Sequence, residues 1–82
     1  MDITEFEKKR PYRVFDDSGY WQLVLPELMA AGLSCRLANA LSTFNAACVW
    51  AGDKHWARCV VVIADILVAE AQASEKAPRD DA

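Results

Sequence analysis

The residues best placed to do chemistry fall within seven positions: Asp53, His55 and Cys59. Asp53-x-His55 could orient an imidazole, and His55-x3-Cys59 puts a thiol one helical turn beyond it. A Cys–His nucleophile needs the two groups adjacent in space, and the helical register assigns Cys59 to a buried side. A zinc site needs three or four ligands. His55 is the lone histidine, and the cysteines read C-x12-C-x10-C (Cys35, Cys48, Cys59) without a CxxC pair. The glycines, at 19, 32 and 52, are isolated, so no phosphate-cradling loop exists. We therefore expect His55 to be an ordinary first-turn helix residue. No catalytic residue, metal or cofactor is expected, and the chain reads as a non-enzyme.

Trp50 is the residue with an interaction signature. At about 100° per residue it lies opposite the Leu37-Leu41-Phe44 stripe, on a face shared with Arg36, Asn39, Thr43 and Ala46. Tryptophan and arginine on a small, weakly polar face make the composition of a binding hot spot. Arg10 and Arg13 lie in the charged N-terminal segment and extend that candidate partner-binding set. The competing reading folds Trp50 inward against Tyr20 and Trp21.

The elements that would carry these residues follow from the punctuation of the chain. Residues 1–17 hold nine of the 21 charges and read as a charged arm. Alternatively, Pro11–Phe15 and Tyr20–Leu25 form a β-hairpin around Asp16–Gly19, with Gly19 in the left-handed position. Pro26 suits the first turn of a short helix, which Gly32 ends. Ser34 caps a second helix, Cys35–Ala51, with Leu37, Leu41, Phe44, Cys48 and Ala51 on one stripe. Gly52 stops it, and Asp53 caps a third helix from Lys54 to Ser74. There Trp56, Val60, Ile63 and Leu67 form the main stripe, while Lys54, Arg58, Asp65 and Gln72 form the polar strip. Residues 75–82 read as a frayed tail.

The expected fold is mainly α: an antiparallel helical hairpin plus a short helix, with an N-terminal arm or short β-hairpin, in one domain spanning 1–82. So small a domain has a thin stability margin unless something staples it. Three cysteines and the charged start MDITEFEKKR lead us to expect reduced thiols in the cytoplasm. The remaining staple is self-association. The third helix is apolar on two sides, so a homodimer through Val61, Ala64 and Val68 is expected. A net charge of −3 and pI near 4.9 argue against nucleic acid as partner, and no apolar run is long enough to span a membrane.

Pro26 to Leu41 resembles a helix-turn-helix, with the first helix ending at Gly32, the turn at Leu33-Ser34 and Cys35 onward as recognition helix. Its outward groups would be Arg36, Asn39 and Ser42. In overall character the chain is similar to small phage- or plasmid-encoded proteins that bind and block a host protein. The expectation is therefore a protein-binding inhibitor or regulator, with a small helix-turn-helix-like DNA-binding regulator as the alternative.

Overall fold

A computed structural model of the chain describes residues 10–76. It is mainly α, with one β-hairpin ahead of three helices. Strand β1 is Val14–Asp17 and β2 is Tyr20–Leu23, paired antiparallel from Val14↔Leu23 to Asp17↔Tyr20. The hairpin alternative is thus realised, and residues 10–17 are not a free arm. Residues 1–9 of the expected arm and 77–82 of the expected tail lie outside the described residues. The connecting loop is two residues long instead of four. Ser18 (φ 56°) and Gly19 (φ 87°) both take positive φ, the type I′ geometry whose twist matches that of the strands. Asp16 reinforces the turn, its Oδ1 accepting from the Gly19 N–H at 3.0 Å.

Helix α1 runs Leu25–Ala30, with Pro26 in its first turn. Helix α2 spans Cys35–Trp50, and Ser34 Oγ accepts from the Leu37 N–H at 3.2 Å as the expected cap. After Trp50 the chain reverses at Gly52 (φ 77°). The Gly52 N–H donates to Val49 O and the Asp53 N–H to Cys48 O, at 3.0 and 2.9 Å. This is the Schellman pattern, which satisfies the last helical carbonyls. Asp53 then accepts from the Trp56 N–H at 3.0 Å and starts helix α3, Lys54–Lys76. The helix passes the expected end at Ser74, so Glu75 and Lys76 belong to it and not to the tail.

The hairpin and α1 pack on one side of α2 and α3. Trp21, Leu23, Leu28, Leu33, Ala38, Val60, Val61, Ala64 and Val68 form the core between them. Tyr12 joins it at 5% exposure. A two-stranded hairpin is marginal alone, and Asn45 explains how this one is held. Its side chain is 1% exposed in the middle of α2. Oδ1 accepts from the Leu23 N–H at 2.8 Å, while Nδ2 donates to Trp21 O at 2.8 Å and Ala57 O at 3.1 Å. In an antiparallel ladder closing at Asp17↔Tyr20, Trp21 and Leu23 turn their backbone groups away from β1. The Asn45 amide meets them as a third strand would.

Candidate functional site

The polar strip on α3 runs along the edge of the layer formed by the hairpin and α1, with Lys54 and Arg58 exposed and Asp65 and Gln72 half-buried. Lys54 Nζ lies 5.0 Å from the Tyr20 ring centroid and the Arg58 guanidinium 5.2 Å from that of Trp21. Gln72 Nε2 donates to Ala31 O, the carbonyl that ends α1, at 3.2 Å. Asp65 takes a two-pronged bond from Arg10, Nε to Oδ1 at 2.7 Å and Nη2 to Oδ2 at 3.0 Å. Tyr12 donates its hydroxyl to the same Oδ1. Burial, then the bond to Asp65, push the Tyr12 hydroxyl far above the usual tyrosine range, against the opposing pull of Arg10. The Arg10 guanidinium also lies 5.5 Å from the Trp21 ring centroid, so it shares that indole with Arg58. Each of the four strip residues therefore ties down one piece of the segment from Arg10 to Ala31.

The apolar residues of α2 and α3 that do not meet this layer stay open. Phe44 is 54% exposed, Trp56 53%, Ile63 48% and Ile66 54%. Leu37, Leu41, Phe44, Trp56, Val60 and Ile63 line a cleft of about 280 Å³ between the two helices. A second, of about 360 Å³, continues past Phe44 and Trp56 toward Cys48, Ala51 and Asp53. The Leu37–Ala51 stripe is thus a half-open cleft wall, whereas the buried side of α2 is Ala38 and Asn45.

Trp50 is 94% exposed and does not pack on Tyr20 or Trp21. Arg36, Asn39, Thr43 and Ala46 are exposed with it on the outer face of α2. Of the two arm residues in the candidate set, Arg13 is exposed, but the Arg10 side chain is only 2% exposed and engaged with Asp65. It is a structural residue, fixed there because its guanidinium is the counter-ion of a carboxylate on α3. Val61, Ala64 and Val68, expected at a dimer interface, are each 0% exposed inside the single chain. No second copy could reach them in the folded chain, because β2 and α1 already cover that side of α3.

Cys59 is half-buried and its Sγ lies 3.7 Å from His55 Nε2, so the two groups do meet on the surface of α3. Among the described residues, no group of three His, Cys, Asp or Glu side chains could hold a metal ion. No helix among them is long and apolar enough to cross a membrane. The helix-turn-helix-like segment is α1, Gly32 to Ser34, and α2. On α2 it presents a single cation, Arg36, and Ser42 is half-buried with its hydroxyl on Asn39 O.

Sequence reasoning did not single out Asn45. Its signal was there: an amide flanked by Phe44 and Ala46-Ala47 in the middle of a helix, in a chain with a candidate hairpin whose edge needed a partner. The described residues form a small, mainly α fold with an open apolar cleft and an exposed tryptophan. The chain matches no protein-family model, and neither the curated proteins nor the solved structures contain a significant match to it.

Proposed function

We propose that this chain is a non-enzymatic protein-binding module, a cytoplasmic regulator or inhibitor that occludes a surface of a target protein. The helical hairpin of α2 and α3 is the platform. The observation that carries the reading is Trp50, 94% exposed beside Arg36, Asn39 and Thr43. A full tryptophan in water contributes nothing to the fold, although burying a large apolar side chain yields about 1.5–3 kcal/mol. Its placement gains that energy on binding. Phe44 and the cleft it lines, on the side of α2 that faces α3, offer a separate concave apolar surface to a partner that wraps around the helix. An exposed patch of this kind, rimmed by polar groups, is the usual mark of a protein contact. Arg36 favours a partner that brings a carboxylate to the edge of that patch.

Tagged protein used to capture its target from host lysate tests the reading. Trp50→Ala and Arg36→Ala should each keep the wild-type melting temperature and weaken capture. Loss of about 2 kcal/mol at a central aromatic anchor corresponds to roughly thirtyfold in affinity. Variants that fold and retain the same captured protein in full would remove the outer face of α2 from the contact. Binding to duplex DNA that collapses with added salt would favour the helix-turn-helix alternative instead.

A further inference from the structure

The face of α3 turned away from the hairpin and α1 carries a second periodicity. His55, Cys59, Val62, Ile66, Ala69 and Ala73 recur in steps of four, three, four, three and four. That is the heptad spacing of a seam between helices. Val62 is 44% and Ile66 54% exposed, His55, Ala69 and Ala73 are exposed as well, and Cys59 is half-buried. A concavity of about 440 Å³ opens along this face, with Pro11 at its edge. On the α3 side it is lined by Val62, Asp65, Ile66, Ala69 and Gln72, with Arg10 opposite them. The first four, spaced i, i+3, i+4 and i+7, have the spacing of the residues that form the hole for one knob of a facing helix. The carboxylate among them, Asp65, is already bound by Arg10 and Tyr12. No unpaired charge therefore opposes an incoming apolar side chain.

We infer that the knob is Val62 of a second copy, and that two chains pair antiparallel through α3 about a two-fold axis between Val62 and Ile66. In that pairing Val62 meets the partner's Ile66, Cys59 meets the partner's Ala69, and His55 meets the partner's Ala73. Each larger side chain faces a smaller one, which keeps the helix separation even along the seam. A parallel pair would set the two alanine layers together at one end and His55 on His55 at the other. The area also fits. With Val62 at 44%, Ile63 at 48% and Ile66 at 54% exposure, and the smaller seam residues added, each copy offers on the order of 500 Å². A dimer burying about 1,000 Å² in total sits at the lower limit for a specific interface. The inference does not rest on the proposed partner face, which lies on α2.

Light scattering across the micromolar range should show wild-type protein moving toward twice its 9.1 kDa chain mass. Ile66→Glu, at a half-exposed position, should keep its helical circular dichroism and weaken dimerisation at least about tenfold. For register, a Cys35→Ser, Cys48→Ser background leaves Cys59 as the sole thiol. Adding Ala69→Cys should give, under mild oxidation, a covalent dimer joining Cys59 to the substituted position of the other chain. The background alone should stay uncrosslinked. A wild-type chain that remains at 9.1 kDa throughout overturns the dimer. Crosslinking through Cys59 alone overturns the antiparallel register, and a folded I66E chain that still dimerises overturns the face. Should Ile66→Glu unfold, the Ala69→Cys crosslink decides the matter by itself.

Discussion

Two faces of the same helix behave in opposite ways. One edge of α3 carries Lys54, Arg58, Asp65 and Gln72, and every one of them touches the hairpin, the segment before it or α1. The far side carries Val62, Ile63 and Ile66, each about half exposed. A helix of a lone globular protein normally buries its apolar stripe and leaves charge in water. Here the inner stripe of Ala57, Val61, Ala64 and Val68 is buried as usual, but the polar edge is consumed as well. Much of the surface left over is apolar, with Val62, Ile63 and Ile66 exposed near Glu70. A small chain can cover only one side of a long helix, and this one covers the side where specific polar partners exist.

Breaking the polar edge should have the largest effect. Asp65→Ala removes the carboxylate that takes both prongs of the Arg10 guanidinium, whose side chain is 2% exposed. Removing one member of a buried pair costs about 3–5 kcal/mol. A chain of this size has about 4–12 kcal/mol in all, so urea denaturation should show a fold close to collapse. Arg10→Ala should be milder, because Asp65 is less buried and keeps its bond from Tyr12.

A smaller effect of the same edge appears at high pH. Burial and Asp65 hold the Tyr12 proton on the folded chain, whereas an unfolded tyrosine ionises near pH 10. The contribution is present in full below about pH 10 and is lost as pH rises beyond it, since the unfolded state then binds fewer protons. Thermal melts should show stability falling through that range, and Tyr12→Phe should flatten the fall. A wild-type chain whose melting temperature is unchanged there would dissociate Tyr12 from the edge. The smallest effect belongs to the outer face. Ile66→Ser should alter the melting temperature of dilute protein by the equivalent of about 1 kcal/mol or less, as half-exposed positions do. A larger loss would mean that this face is already packed within one chain.

The same contrast explains what could be read from the residues. Ser34, Gly52 and Asp53 placed the helix boundaries because capping is local chemistry. The hairpin was readable as an alternative through Gly19. Trp50 was legible as an outward residue because α2 is regular enough for its helical wheel to hold. What failed was the orientation of α3. A wheel treats Asp65 and Gln72 as solvent-facing, yet their partners Arg10 and Ala31 are 55 and 41 positions away in sequence. No local pattern encodes that. The same error placed Val61, Ala64 and Val68 at an interface and Arg10 on the surface. The open cleft was likewise invisible: Leu37, Leu41 and Phe44 face α3, but nothing in their spacing says how far the two helices close over them.

Asn45 has a bearing on how the molecule assembles. Its three bonds reach Trp21 and Leu23 on one side of it in the chain and Ala57 on the other. They form only when the hairpin and both long helices are together. A two-stranded ribbon has no independent stability, and a half-assembled chain would hold an unpaired buried amide against an open strand edge. Partly folded states are therefore penalised at both ends of the same side chain. One amide makes the hairpin and the helices a single cooperative unit, and it closes an edge on which foreign strands could otherwise add.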